Sequence, residues 1–270
     1  MNVFDLRAAN LSEIAETARR KQLDYPDELR FLNTCARGQI NLACAKTGVG
    51  KSWFLTQFAY CMNSKYPVLY ISLENGLDVD VERFLMCQNL YSDQGNPLIY
   101  ANNTIWTKEN NWAEHAAVWQ EFPLVCIDGL ETVLPCSADK SFEEYQKAVV
   151  EIRNKFPNSA IWISWQLNRT YDDIPDKTGK ITAPRVDDIA YSYAAARLAS
   201  NIIGIYRASK EDKYNTIVNL KGRCGNTENY GQLAWGKAFQ PFIKDEQLRI
   251  QSAQLSGLQE ELSKLRGNES

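Results

Sequence analysis

Between about residues 38 and 240 the chain alternates two kinds of hydrophobic spacing. Short unbroken apolar runs rich in β-branched residues are separated by longer stretches in which apolar positions recur every three or four residues. The first spacing fits strands buried on both faces, the second amphipathic helices. Strands are expected at 40–44, 68–73, 124–127, 161–165, 202–206 and 216–220, and helices at 52–63, 78–90, around 113–120, 142–155 and 189–199. Such alternation predicts an α/β fold, a mostly parallel twisted sheet with helices on both faces. Two flanking segments read differently. Residues 1–27 form a helical segment with Leu11, Ile14, Ala15 and Ala18 on a narrow apolar face, then Arg19, Arg20 and Lys21, stopped near Pro26. Residues 245–270 carry heptad spacing, with Leu248, Leu255 and Leu262 in one register and Leu258 and Leu265 in another. Gly257 and the short length argue against an independent coiled coil there. The C-terminal helix is expected instead to dock on the α/β domain of residues 28–244, on a neighbouring subunit or on a protein partner.

Composition narrows the picture. Lys and Arg number 30 against 33 Asp and Glu, a net charge of −3, so the chain does not coat nucleic acid by bulk electrostatics and any contact needs a local basic patch. The 7 cysteines are scattered without a C-x-x-C pair, as expected of buried thiols in a reducing, cytoplasmic setting. The apolar run 190–206 is interrupted by Arg197, which speaks against a spanning helix and a membrane role. His115, the only histidine, has no partners in sequence and receives no role.

The strand at 40–44 runs straight into Ala45-Lys46-Thr47-Gly48-Val49-Gly50-Lys51-Ser52, and a helix follows. That setting makes the segment a phosphate-binding loop. Its backbone N–H groups can wrap the β-phosphate of ATP, Lys51 can bridge the β- and γ-phosphates, and the Ser52 hydroxyl can hold Mg²⁺. Alanine stands where the motif has its first glycine, which is tolerable only if Ala45 keeps a negative φ.

Three more strand ends carry chemistry. The 124–127 run ends in Asp128, the natural outer ligand of Mg²⁺. The 68–73 run is expected to be the strand next to the phosphate loop, and it ends in Glu74, a carboxylate that can polarise water there for attack on the γ-phosphate. The 161–165 run leads into Gln166-Leu167-Asn168-Arg169, where a neutral amide can sense the γ-phosphate. Glu74 also argues against a small-molecule kinase, and the full set of Lys51, Ser52, Glu74 and Asp128 against an inactive scaffold. Trp53, Trp162 and Trp165 are expected to pack in or beside the core rather than to stack on bases.

Together, the phosphate loop, Ser72-Leu73-Glu74, Ile127-Asp128 and Gln166-Leu167-Asn168-Arg169 resemble, in order and spacing, the RecA-like ATPase domain of DnaB-type replicative helicases. Lys221-Gly222-Arg223 resembles that family's late strand. The resemblance covers about residues 28–240. It implies that Lys51 and Ser52 bind ATP-Mg, Glu74 is the catalytic base, Asp128 the Walker B acid and Gln166 the γ-phosphate sensor. Lys221 and Arg223 would act on the ATP of the next subunit of a homo-oligomeric, hexameric ring; the alternative is that they only solvate a strand end. It further implies a DNA helicase or translocase subunit of phage, plasmid or mobile-element type, with single-stranded DNA held by Arg169, Lys177, Lys180 and Arg185. Asp172, Asp173, Asp176, Asp187 and Asp188 dilute that patch, so a solvated loop is the alternative. Only some 38 residues precede the first strand, so the family's primase-docking collar, and primase or loader partners, are not expected. The rival within the same fold is a regulatory ATPase that controls a protein partner without unwinding.

Overall fold

The computed structural model describes residues 11–91, 96, 98–101, 121–132, 141–168, 171, 174, 177, 179–189, 192–209, 214–222, 230–234 and 243–244. Its strands are β1 (Ile40–Ala45), β2 (Val68–Ser72), β3 (Leu98–Ala101), β4 (Leu124–Asp128), β5 (Ala160–Gln166), β6 (Asn201–Tyr206), β7 (Tyr214–Gly222), β8 (Tyr230–Ala234) and β9 (Ile243–Lys244). Its helices are α1 (Leu11–Lys21), α2 (Lys51–Asn63), α3 (Leu77–Tyr91), α4 (Ser141–Lys155) and α5 (Ser192–Leu198). The described strands form one sheet in the order β3-β2-β4-β5-β1-β6-β7-β8-β9. Strands β3 to β6 in that order pair in parallel, and β7, β8 and β9 add antiparallel. This is the α/β architecture, a mostly parallel sheet with helices on both faces, that the hydrophobic alternation predicts.

Two cores sandwich the sheet. On one face α2 contributes Phe54 and Phe58, whose rings lie 6.0 and 4.9 Å from that of Trp162 on β5. All three are fully buried, and truncating Trp162 to alanine would cost about 3–5 kcal/mol. Leu23, Tyr25, Leu29, Phe31 and Leu32 close this same core, so the segment from residue 23 onward is part of it. On the other face α4 and α5 pack Tyr145, Val149, Ile152 and Ala195 against β4, β5 and β1, with Tyr145 edge-on to Trp165 at 5.4 Å. Trp53 is only partly buried, with the Arg83 guanidinium 5.6 Å above its ring. At the amino end of the central strands the buried Asn41 donates to the Ile161 carbonyl (3.0 Å) and accepts from Asn201 (2.8 Å). These amides tie β5, β1 and β6 together with their polar atoms paired, as burial requires.

Several expectations change in detail. The helix expected at 189–199 shrinks to α5, because the backbone at Ile189 is extended and bridges Leu167 beyond β5. Strand β3 is a short, partly exposed edge, and β8 and β9 lack a long apolar run, so none of the three stood out by hydrophobic spacing. Cys35, Cys44, Cys61, Cys87 and Cys126 are buried, as expected, and burial pushes the Cys35 thiol up to about 11 and Cys87 to about 12. The expected helix at 113–120, His115, Cys136, Cys224 and the heptads of 245–270 lie outside the described residues. No described helix is long and apolar enough to cross a membrane.

Candidate functional site

The phosphate loop connects β1 to α2 through backbone that needs glycine. Gly48 sits at φ +78° and Gly50, the residue capping the start of α2, at φ +100°, both in the left-handed region that side chains disfavour. Ala45 closes β1 in extended backbone paired with Gln166, so its Cβ is accommodated and the missing first glycine is harmless. The loop holds itself together with Val49 N–H to Lys46 O (3.2 Å) and Phe54 N–H to Gly50 O (2.9 Å). It is also anchored from outside. Asn215 on β7 donates its side-chain N–H to the Val49 carbonyl at 2.6 Å, a contact that sequence reasoning missed because it spans 166 positions.

Strand order decides where the acids sit. β5 stands next to β1, and Gln166 at its end donates to the Thr47 hydroxyl of the phosphate loop at 2.9 Å. β4 comes next and delivers Asp128, which is fully buried. Asn75 donates to its Oδ2 (3.3 Å), while Oδ1 has no hydrogen-bond partner. Burial holds the Asp128 carboxyl above the usual carboxylate range; the Ser164 and Ser52 hydroxyls oppose that, and the Glu74 carboxylate adds to it. Ser164 also accepts the Gly129 N–H at 2.8 Å, which keeps the turn after β4 in place.

Glu74 corrects one expectation. β2 is separated from β1 by β4 and β5, so Glu74 does not follow a strand adjoining the phosphate-loop strand. It reaches the site by packing on Gly129, which has φ +77°; a Cβ added there would lie 2.5 Å from the Cβ of Glu74. The Leu73 N–H to Asp128 O bond (2.9 Å) and the Thr132 hydroxyl, donating to Gly129 O (2.7 Å) or Leu73 O (3.2 Å), lock the two strand ends together. Glu74 itself is exposed, open to a water molecule.

Lys51 begins α2 with its side chain 8% exposed, and its ammonium faces Glu131 at 3.6 Å. Sequence reasoning missed Glu131; the only signal was an acid three residues beyond Asp128, placed by the 3₁₀ turn Leu130–Thr132. On the other side of the loop, Lys46–Val49, Tyr171, Ile181, Tyr206, Arg207 and Asn215 line a cavity of about 530 Å³, within the roughly 300–1,000 Å³ of small-ligand pockets.

The residues expected to act elsewhere are placed as follows. Lys221 donates to the carbonyls of Ala196 (2.6 Å) and Ala199 (2.8 Å), capping the carboxyl end of α5 as a cation does well. Lys177, Lys180 and Arg185 are exposed, and the Arg185 N–H is held by Asp188 at 2.6 Å. Arg169 and Arg223 lie outside the described residues. Tyr171 and Ile181 lie beside the phosphate loop, with the Tyr171 hydroxyl on Thr182 O (2.6 Å) and Ile181 N–H on Ala208 O (2.8 Å).

Among solved structures, the chain is similar to a DnaB-like replicative helicase described with its interactions with primase, at TM-score 0.65 and 17% identity over 88% of this chain and 68% of that one. The fold is that of a DnaB-type ATPase domain. A second solved structure, itself an isolated ATPase domain, aligns at TM-score 0.64 and 17% identity, over 88% of this chain and 98% of its own. No protein-family model and no curated protein matches the sequence. Within this DnaB-type fold the donor set suits a magnesium nucleotide, since Asp128 keeps a buried oxygen with no protein donor beside the Ser52 hydroxyl. Among the described residues no three His, Cys, Asp or Glu side chains form a metal cage, and Mg²⁺ characteristically takes one or two carboxylates plus phosphate oxygens.

Proposed function

We propose that the chain is an ATPase that hydrolyses ATP-Mg at the carboxyl end of its sheet and works as one subunit of a cytoplasmic, hexameric DNA helicase or translocase of phage, plasmid or mobile-element type. The observation that carries this reading is Asp128, buried on a strand end with an oxygen left without a partner, in the same site as Lys51 and Ser52. The loop N–H groups and Lys51 bind the phosphates. Ser52 and Asp128 would hold Mg²⁺, which when bound would neutralise phosphate charge. Glu74 orients water and accepts its proton. Gln166, already bonded to Thr47, relays occupancy of the loop to the stretch containing Arg169, Lys177, Lys180 and Arg185, which tracks single-stranded DNA. Lys221 and Arg223 of the next subunit stabilise the transition-state charge, a contribution of about 10³–10⁵ in rate in other phosphate-loop enzymes.

One observation favours a second reading. Lys221 is committed to the end of α5, and reaching a neighbour's nucleotide requires it to leave two carbonyls. A regulatory ATPase that controls a protein partner, for instance through the 245–270 helix, needs no such exchange. Steady-state ATPase activity with and without single-stranded DNA, across protein concentrations, separates the two. Strong stimulation with a steep concentration dependence is expected of the ring; activity indifferent to both establishes the regulatory reading.

A further inference from the structure

The carboxylate nearest the phosphate-loop lysine is one the reaction above does not use. Glu131 lies on the 3₁₀ turn after β4, its side chain 12% exposed, with Oε1 3.6 Å from the Lys51 ammonium and Oε2 without a hydrogen-bond partner. Its place is set by backbone: Thr132 N–H bonds Gly129 O (3.0 Å), and the Thr132 hydroxyl reaches Gly129 O (2.7 Å). Leu130 beside it is fully buried and anchors the turn in the core. A lysine ammonium this buried is costly unless paired, and an isolated buried carboxylate is costlier still unless it has a cation. Among the described residues Lys51 makes its ion pair with Glu131, not with Asp128 or Glu74.

We infer that Glu131 is a positioning residue that holds Lys51 in the phosphate loop before nucleotide binds and competes with nucleotide phosphates for it, thereby setting nucleotide affinity. This rests on the phosphate-loop reading of Lys51. When phosphate oxygens take the ammonium, Glu131 loses its counter-charge and is left near an anion, in a site that already holds Asp128 and Glu74. Like charges brought together in a desolvated site weaken binding, and the affinity of the site is the difference between the two partnerships of Lys51. The carboxylate thus keeps the lysine placed before binding and sets how tightly it grips afterwards.

The test is Glu131→Gln in the full chain, which keeps the shape and removes the charge, read by titration with a fluorescent ADP and by ATPase kinetics. About 3- to 10-fold tighter ADP binding is expected, with KM for ATP falling by a similar factor and kcat changing less. Unchanged or weaker binding, or a loss of kcat at constant KM, overturns the proposal. Glu131→Ala, with its thermal midpoint recorded, guards against a folding artefact: if it too binds ADP more tightly despite a lower midpoint, the effect is one of charge. Lys51→Ala separates this failure from that of the underlying reading. Loss of ADP binding in that variant leaves the phosphate-loop assignment standing whatever Glu131 does; retained binding overturns both.

Discussion

The two flanks of the phosphate loop are built from opposite chemistry. On the β4 side stand three carboxylates, Glu74, Asp128 and Glu131, two of them largely buried and each of those two with an oxygen that no donor satisfies. On the β6–β7 side the loop meets a neutral amide, Asn215, and a cavity bordered by Tyr171, Tyr206 and Arg207, with the Lys46 ammonium 5.5 Å from the Tyr171 ring. Buried unpaired charge is destabilising and persists where function needs it, whereas amides and aromatic rings give shape and grip at little electrostatic cost. Under the proposed ATPase reading, Glu74 and Asp128 of the acid flank serve bond-breaking, Glu131 beside them tunes the lysine, and the amide flank steadies the loop that retains the nucleotide.

The sharpest way to break that division is Glu74→Gln. It is expected to lower kcat by about 10²-fold or more while ATP binding survives, measured by single-turnover hydrolysis beside equilibrium binding. Normal hydrolysis would remove the base from the acid flank. Next in size is Asn215→Ala, which frees the Val49 carbonyl and loosens the loop. About 5- to 10-fold weaker ADP binding is expected from one lost hydrogen bond near 1 kcal/mol, with a smaller change in kcat. A selective loss of kcat would show that the amide flank shares in the chemistry.

The smallest effect concerns stability. Because burial raises the Asp128 carboxyl in the folded chain, its contribution is fully present below the unfolded carboxylate pKa and lost as pH rises through the folded value. Asp128→Asn therefore raises the thermal midpoint of the nucleotide-free chain by about 2–4 °C at neutral pH, for about 1 kcal/mol gained, and the gain shrinks on acidification. A lower midpoint at neutral pH would mean that the acid flank is structurally satisfied after all.

Much of this site is legible because it is local. The phosphate loop, Asp128, Glu74 and Gln166 each close a short apolar run, and the strand ends of an open α/β sheet converge by topology. Other parts were beyond reach. Glu131 meets Lys51 only because a turn pinned by Thr132 folds it back, and Asn215 meets Val49 only because β7 passes beside the loop. In the sequence Lys221 reads as a residue presented to the next subunit's ATP, or else as a cation solvating a strand end, yet the antiparallel pairing of β7 with β6 carries it to the last carbonyls of α5.

Hydrophobic spacing alone determined the strand–helix alternation, and local motif determined the phosphate loop and the residues that end each strand, since these follow from neighbours a few positions apart. Only the tertiary structure decided that β4 and β5 stand between β2 and β1, that Glu74 enters the site over Gly129, and that three carboxylates gather near one lysine. Strand order and charge pairing are set by contacts between residues far apart in the chain, where burial and desolvation, rather than local spacing, choose the partners.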